Sequence, residues 1–288
     1  ETVLIDLSPE ERELYDFISA FKQSDHPMFT NAFSILTLQR EATSSKEAVY
    51  LTCKNMLAKS APPSPVLETF VEGVLERIER IQINSKAQKA LELIQTINDK
   101  VIIFTEYRAT QLYLQWFLKQ HGISSVPFRG GFRSGKKDWM RELFQTKAQV
   151  LIATEAGGEG INLQFCNHVI NFDLPWNPMR LEQRIGRVHR LGQKNNVYIY
   201  NFATKNTIEE HILKLLYEKI NLFELVIGEL EDILTRLDFG NFEELLSDIF
   251  QESTSEGEIR VKMENLTAMI ELAQTIKEAG IDAASGGS

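Results

Sequence analysis

The sequence predicts an α/β fold: a parallel sheet with helices on both faces, preceded by a helical region and followed by an acidic helical tail. Between residues 100 and 202 the apolar runs are continuous, which is typical of strands buried on both faces. Helical patterns separate these runs, and this alternation indicates βαβ units and a parallel sheet. The predicted strands are at residues 101–104, 125–128, 150–153, 168–172 and 197–202, and the predicted helices between them are at 110–120, 134–144 and 178–190.

Residues 1–84 are predicted to form one short strand and then helices. Apolar side chains alternate over residues 1–7, as expected of a strand. Ser8 then forms a capping box with Glu11, and a proline stands at the first helical position, so a helix begins there. Ser64 and Pro65 begin another helix in a similar way, and the pattern stays helical to about residue 98.

The acidity of the chain is concentrated near its end. The 288 residues include 31 Lys and Arg and 40 Asp and Glu, a formal net charge of −9. Residues 224–258 hold eleven acidic side chains and one arginine, a net charge of −10, so the other 253 residues carry +1. We therefore predict an acidic helical tail at 223–288. Because residues after 250 are rich in Ser, Glu, Gly and Ala, we expect little packing there and disorder at the end.

The composition excludes several classes of protein. With 43% hydrophobic and 25% charged residues, the chain is typical of a globular protein, not of a disordered one. It has no apolar run of membrane-spanning length and no signal-peptide pattern, so we expect an intracellular protein. Cys53 and Cys166 form no disulfide framework, and we expect both to be reduced and buried. The chain starts at Glu1 and ends in a Ser-Gly-Gly-Ser run, so we expect a piece of something longer.

A glycine-rich segment follows the predicted strand at 150–153. Residues 154–162 read Thr-Glu-Ala-Gly-Gly-Glu-Gly-Ile-Asn. In a parallel sheet, ligands bind at the carboxyl ends of the strands, and glycines let backbone amides approach phosphate oxygens closely. A flexible turn is the alternative interpretation.

An arginine-rich helix is predicted to begin after Asn177. Pro178 suits the first helical position, and the arginines that follow are spaced so that three of them share a face and could bind a polyanion. These arginines are Arg180, Arg184, Arg187 and Arg190. Gly186 costs about 1 kcal/mol of helix propensity relative to Ala, which suggests that another group, such as a ligand or a backbone segment, approaches the helix closely at this position. A solvated basic face is the alternative.

A second basic cluster follows the strand at 125–128. The spacing of Gly130, Gly135 and Lys136 is that of a P-loop, but Lys137 stands where Ser or Thr should hold Mg²⁺, so we reject a nucleotide cradle. Six cations there make a candidate phosphate-binding patch, with a solvated helix as the alternative: Arg129, Arg133, Lys136, Lys137, Arg141 and Lys147. The histidines lack metal-ligand spacing, and no metal site is predicted.

Several segments together resemble the SNF2 family of superfamily 2 ATPases. Asp-Leu-Pro-Trp-Asn-Pro at 173–178, followed by Glu-Gln-Arg-Ile-Gly-Arg-Val-His-Arg-Leu-Gly-Gln at 182–193, resembles motif VI of that family. Its His-Arg-x-Gly-Gln ending differs from the usual DEAD-box ending. Residues 154–163 resemble motif V, 101–107 motif IV, and 128–131 the phosphate-contacting turn between them. The resemblance implies that residues 85–222 are the second RecA-like lobe and that 1–84 are the helical connection between lobes, of a bacterial RapA-like type.

The resemblance also implies how the lobe takes part in ATP hydrolysis. The family's Walker A loop and Asp-Glu motif II belong to its first lobe, and neither is found in this sequence. ATP with Mg²⁺ would therefore be held mainly by an absent N-terminal lobe. Arg184 and Arg187 would be arginine fingers that reach its γ-phosphate. The other residues expected at the nucleotide are Gln183, Gly158, Glu159 and Gly160.

On the DNA side, the resemblance places four residues along the phosphates of one strand: Arg129, Gly130, Thr154 and Asn162. Trp176 matches a family tryptophan that lies against the duplex. Glu155 departs from the family, because many members have arginine there, and a carboxylate would repel phosphate. The path of DNA near motif V is therefore expected to differ or to bind more weakly.

The resulting hypothesis is the C-terminal lobe of an ATP-dependent, SNF2-type translocase of double-stranded DNA. Its expected partners are double-stranded DNA, the N-terminal RecA-like lobe of the same protein and a nucleoprotein or RNA polymerase target; no membrane is expected. Three alternatives stay open: a non-catalytic nucleic-acid-binding module, a regulatory protein-interaction domain, and another superfamily 2 helicase that acts on RNA. The acidic tail is expected to compete with DNA for the basic clusters.

Overall fold

A computed structural model describes residues 1–21, 33–60, 62–130, 134–154, 162–189, 196–214, 242–253 and 256–285. These residues divide into two compact units. The first consists of Glu1–Leu174 and Gln183–Glu209, and the second of Pro175–Glu182 and Glu210–Ser288.

The first unit contains a six-stranded sheet in which every described pairing of strands is parallel. The strands are β1 (Thr2–Ile5), β2 (Val101–Thr105), β3 (Ser125–Phe128), β4 (Val150–Thr154), β5 (His168–Asn171) and β6 (Tyr198–Thr204), in the spatial order β1-β6-β5-β2-β4-β3. The predicted strands and the parallel sheet are confirmed. The short N-terminal strand lies at the edge, paired with β6.

Eleven helices lie along the described residues. They are α1 (Pro9–Ala20), α2 (Phe33–Ser44), α3 (Lys46–Lys59), α4 (Pro65–Arg80), α5 (Ser85–Ile97), α6 (Arg108–Gln120), α7 (Ser134–Thr146), α8 (Pro178–Ile185), α9 (Ile208–Leu213), α10 (Phe242–Glu252) and α11 (Glu256–Ser285). The predicted capping box begins α1: Ser8 Oγ accepts a hydrogen bond from the amide of Glu11 at 3.2 Å, and the carboxylate of Glu11 accepts one from the amide of Ser8 at 2.9 Å.

The sheet is buried on both faces, which explains its continuous apolar runs. Along β2, Val101 and Ile103 point to one apolar cluster, whereas Ile102 and Phe104 point to another, as the alternation of side chains along a strand requires. Helices α5 and α6 cover the first face through side chains such as Ile94 and Leu114, and α7 contributes Phe144 to the second.

Helices α1–α4 pack around an apolar core of their own within the first unit. Its fully buried members include Leu14, Ile18, Leu38, Val49, Phe70 and Val74. The domain boundaries at residues 84 and 222 stay a prediction. Cys53 and Cys166 are free and buried, as predicted, and burial raises the pKa of both thiols to about 12.

In the second unit, the described part of the tail is helical and packs more than its composition suggested. Phe250 of α10 and three apolar side chains of α11 are buried: Met263, Leu266 and Ile270. Their spacing of three and four residues puts the three on one face of α11, so a few apolar side chains are enough to bury that face. Residues 215–241, which hold much of the acidic stretch, and 286–288 lie outside the described residues. No helix in the described ranges has the length and apolarity needed to cross a membrane.

Candidate nucleotide and nucleic-acid site

The segments singled out in the sequence meet at one edge of the sheet. Thr105 at the end of β2 lies opposite Thr154 at the end of β4, and Phe104 lies opposite Asn171 at the end of β5. Phe128 at the end of β3 is in register with the residue before Thr154. Because all these strands are parallel, the chain leaves them at the same edge, and this is where ligands bind in open α/β sheets.

Arg184 is buried at this edge, with 3% of its surface exposed. Its Nη1 donates to Asn171 Oδ1 at 3.2 Å and to the carbonyl oxygen of Asp173 at 2.8 Å, and its Nη2 is paired with the carboxylate of Glu106. The guanidinium carbon also lies 5.3 Å from the centroid of the Phe104 ring. The chain that follows β2 and β5 therefore holds this side chain in place.

Arg187 is half-buried and is held through its backbone. Its amide donates to the carbonyl oxygen of Arg184 at 3.1 Å, and its own carbonyl oxygen accepts from the amide of Leu163 at 3.2 Å. The neighbouring Val188 is fully buried in the apolar cluster on the second face of the sheet. The segment that resembles motif VI is thus joined to the end of the segment that resembles motif V, and Arg187 is more accessible than Arg184.

A carboxylate that sequence analysis quoted only as part of a motif lies at the centre of this edge. Asp173 Oδ2 accepts hydrogen bonds from Thr105 Oγ1 at 2.5 Å, Ser44 Oγ at 3.0 Å and the amide of Glu106 at 3.1 Å. Its Oδ1 lies 3.3 Å from Nζ of Lys86. Helix α2, helix α5 and strand β2 therefore all contribute to one buried carboxylate.

Lys86 and Glu209 are two further buried charged residues near Asp173. Lys86 is 1% exposed, and its Nζ lies 2.6 Å from Glu209 Oε1. Glu209 Oε2 accepts from the amide and from Oγ1 of Thr204, each at 3.0 Å. Burial raises the pKa of Glu209, and the nearby ammonium of Lys86 opposes that rise. Sequence analysis missed both residues, since neither belongs to a local charge pattern.

The residues predicted to follow DNA differ in exposure. Arg129 and Gly130 are half-buried directly after β3, and Thr154 is half-buried at the end of β4. Asn162 is exposed, and its carbonyl oxygen accepts from Nε of Arg141 at 3.0 Å. This hydrogen bond connects the basic helix α7 to the segment that resembles motif V.

Other predicted residues lie in different surroundings. Gln183 is exposed. Trp176 is 3% exposed, and its ring centroid lies 5.5 Å from that of Phe250 within the second unit. Trp139 of α7, which sequence analysis did not select, is 54% exposed among the cations of that helix.

Predicted residues outside the described ranges are Arg133, Glu155, Gly158, Glu159, Gly160 and Arg190. No group of three or more His, Cys, Asp or Glu side chains within the described ranges is placed to hold a metal ion.

Comparison with known proteins agrees with this arrangement. Residues 85–192 match the family model described as the helicase conserved C-terminal domain. These residues are similar to helicase C-terminal domains. The predicted resemblance to the C-terminal lobe of superfamily 2 ATPases is thereby confirmed, while the RapA-like type stays a prediction.

Two curated relatives carry related sequences. The uncharacterized ATP-dependent helicase YqhH of Bacillus subtilis (strain 168) is 63% identical over 271 residues, which are 94% of this chain and 48% of that protein. The uncharacterized ATP-dependent helicase C23E6.02 of Schizosaccharomyces pombe is 34% identical over 157 residues, 51% of this chain and 15% of that protein. The chain therefore spans about half the length of the Bacillus relative and less of the yeast one.

Two solved structures share the fold of the helicase C-terminal domain and its flanking helices. The C-terminal part of the Fun30 ATPase domain has a TM-score of 0.55 at 19% identity, covering 85% of this chain and 97% of that one. The Sulfolobus solfataricus SWI2/SNF2 ATPase core, solved in complex with double-stranded DNA, has a TM-score of 0.57 at 22% identity, covering 91% of this chain and 49% of that one. The predicted RecA-like fold, of the kind found in SNF2 ATPase cores, is confirmed.

Proposed function

We propose that this chain is the C-terminal lobe of an ATP-dependent, SNF2-type translocase of double-stranded DNA. The observation that carries the proposal is the convergence of the segments resembling motifs IV, V and VI on one edge of the sheet, with Arg184 and Arg187 held there. The ATP-dependent helicase name of the Bacillus relative and the DNA-bound Sulfolobus core agree with this function.

In this proposal, ATP lies between the helicase C-terminal domain and an N-terminal lobe that supplies the Walker A loop, the Asp-Glu motif and the Mg²⁺ ligands. Arg187 brings positive charge to the γ-phosphate, where it stabilises charge that develops during phosphoryl transfer. Arg184 supports it from the buried side, since its guanidinium is occupied by Asn171, Asp173 and Glu106. Gln183, which is exposed, contacts the nucleotide together with Gly158, Glu159 and Gly160.

The proposed DNA track runs along the same edge of the sheet. Arg129, Gly130, Thr154 and Asn162 follow the ends of β3 and β4 and contact the phosphates of one strand. Arg141 extends the track onto α7, because its hydrogen bond to the backbone of Asn162 joins the two segments. Contacts of this kind do not depend on base sequence, which suits a motor that moves along DNA. Burial of Trp176 against Phe250 supports a packing role for its indole instead of direct contact with the duplex.

The test is ATP hydrolysis by the intact protein that contains this chain, with and without double-stranded DNA. Arg187→Ala should lower DNA-stimulated turnover on the order of a thousandfold and leave ATP binding largely intact. Arg260→Ala, at an exposed arginine of α11, is the matched control and should behave as wild type. Undiminished turnover in Arg187→Ala would refute the assignment.

Three further measurements distinguish the alternatives. The 288-residue chain by itself should release no phosphate from ATP, and measurable turnover would contradict the need for a second lobe. Salt-dependent DNA binding by an intact protein without ATPase activity would indicate a non-catalytic nucleic-acid-binding module. Stimulation of turnover by RNA but not by double-stranded DNA would indicate an RNA helicase.

A further inference from the structure

We propose that a buried charge cluster centred on Asp173 positions the arginines of motif VI and connects them to the N-terminal helices. This proposal rests on the proposed function for its catalytic consequence but makes a structural prediction of its own. The cluster comprises three carboxylates and three cations, all in the first unit: Asp173, Glu106 and Glu209 with Lys86, Arg184 and Arg40.

The charges of the cluster balance, and most of them are shielded from water. Lys86 lies between Asp173 and Glu209, and Glu106 lies between Arg184 and Arg40, whose Nη2 is 3.9 Å from Glu106 Oε2. Removing a charged group from water costs several kcal/mol, so each buried ion stays charged only in the presence of its partner. The cluster therefore favours one arrangement of the elements that carry it.

The end of helix α2 reaches the cluster at two points. Ser44 Oγ donates to Asp173 Oδ2 at 3.0 Å, and Arg40 faces Glu106. The next residue, Ser45, has its hydroxyl oxygen 2.7 Å from Oγ1 of Thr110 at the start of α6. A displacement of α2 would therefore move a hydrogen-bond donor to the Asp173 carboxylate and the second cation that faces Glu106.

The position of Arg187 depends on that of Arg184 through backbone hydrogen bonds. The amide of Arg187 is hydrogen-bonded to the carbonyl oxygen of Arg184, and the carbonyl oxygen of Arg187 to the amide of Leu163. Residues 184–187 are held at both ends. A change in the ion pair between Glu106 and Arg184 therefore displaces Arg187. A displacement of about 1 Å at a reacting group lowers turnover on the order of a hundredfold. Glu106, Asp173 and Ser44 are thus positioning residues, not catalytic ones.

The test uses two variants of the intact protein. Glu106→Gln keeps the shape of the side chain but removes the charge that holds Arg184, and Ser44→Ala removes one hydrogen bond to Asp173 without changing any charge. The matched controls are Glu92→Gln, at an exposed carboxylate of α5 paired with Lys89, and Ser124→Ala, at an exposed hydroxyl before β3. Turnover, KM for ATP, melting temperature and amide hydrogen exchange of residues 183–189 are measured for all four variants.

For Glu106→Gln we expect turnover to fall on the order of a hundredfold, with KM for ATP changed by no more than about twofold. Exchange at residues 183–189 should rise, because the segment loses the pairing that holds it. Ser44→Ala should show the same pattern more weakly, about threefold to tenfold in turnover, since it removes hydrogen bonds to Asp173 and Thr110 but no charge. The controls should match wild type.

Unchanged exchange at residues 183–189 in both variants overturns the proposal, even if turnover falls, because the effect would then not pass through the position of motif VI. Raised exchange with unchanged turnover also overturns it. If Glu106→Gln fails to fold, Ser44→Ala decides between these outcomes. An intact wild-type protein without ATPase activity would refute the proposed function, while exchange in the two variants would still show whether the cluster holds the segment.

Discussion

The ammonium group of Lys86 lies 2.6 Å from a carboxylate oxygen of Glu209, although 123 residues separate them along the chain. Both side chains are buried, one at the start of α5 and the other in α9. An oxygen of the Asp173 carboxylate lies 3.3 Å from the same ammonium group, so one lysine pairs with two buried carboxylates. The contribution of Lys86 to the free energy of unfolding can be measured by substitution.

Replacing Lys86 should be strongly destabilising. Lys86→Met leaves Asp173 and Glu209 buried without their cation, and we expect a loss of about 3 to 5 kcal/mol in the free energy of unfolding. Urea denaturation of this chain at neutral pH measures it. The control is Lys89→Met, whose partner Glu92 lies on the same exposed face of α5, where a pair contributes about 0 to 1 kcal/mol. A loss for Lys86→Met as small as that of the control would contradict the account of the cluster.

Glu41 should make the stability of the chain depend on pH. It is 5% exposed, its Oε1 accepts from Thr52 at 2.8 Å, and its Oε2 has no hydrogen-bond partner among the described residues. Burial raises its pKa from 4.5 to about 7. The folded chain therefore binds a proton more tightly than the unfolded chain does, and stability is lost as pH rises from about 4.5 through about 7.

Glu41→Gln removes this titration. We expect the variant to gain up to about 3 kcal/mol relative to wild type at a pH above 7 compared with a pH below 4.5. Urea midpoints of both proteins across this range test it, and Glu92→Gln, at an exposed carboxylate, is the control. A difference between Glu41→Gln and wild type that stays constant with pH would show that Glu41 does not titrate in this way.

Arg129 should contribute to DNA binding through phosphate contact alone. Arg129→Ala should weaken binding about equally for different duplex sequences, and the slope of log affinity against log salt should become shallower by about one. Titration of the intact protein with labelled duplexes at several salt concentrations measures both effects. Arg260→Ala is the control. A loss confined to one duplex sequence would indicate base readout and contradict the proposed track.

The tail is predicted to compete with DNA for the basic clusters. Truncation after residue 223 is a direct test, but it also removes Phe250, which packs against Trp176. A sharper variant neutralises exposed carboxylates of α10 and α11 and keeps their buried side chains: Glu244→Gln, Asp248→Asn, Glu264→Gln and Glu271→Gln. It should bind DNA more tightly at low salt, with the gain disappearing as salt screens the charges. Equal affinity at low salt would remove the competition hypothesis.

Much of the fold follows from patterns that act over a few residues. Continuous apolar runs predict β2 and β4 because a strand covered on both faces needs apolar side chains in both directions, and a capping box predicts the start of α1. The lobe could also be predicted, from the resemblance of consecutive residues at 173–178 and 182–193 to motif VI of the SNF2 family. The exposure of Arg184 and Arg187 could not be predicted in this way, because Arg184 is held in the interior by Glu106 and Asp173, which follow β2 and β5.

The sequence by itself determined the strands, most of the helices and the kind of lobe, since each of these depends on neighbours along the chain. The helix predicted at 178–190 is shorter than expected and ends at Ile185, so Arg187 follows the helix instead of lying in it. Only the tertiary structure decided that β1 pairs with β6, that Trp176 packs on Phe250 and that Lys86 meets Asp173 and Glu209. These contacts join residues far apart in the sequence. Their formation depends on the order of strands in the sheet and on the need of each buried charge for a partner, which no local pattern records.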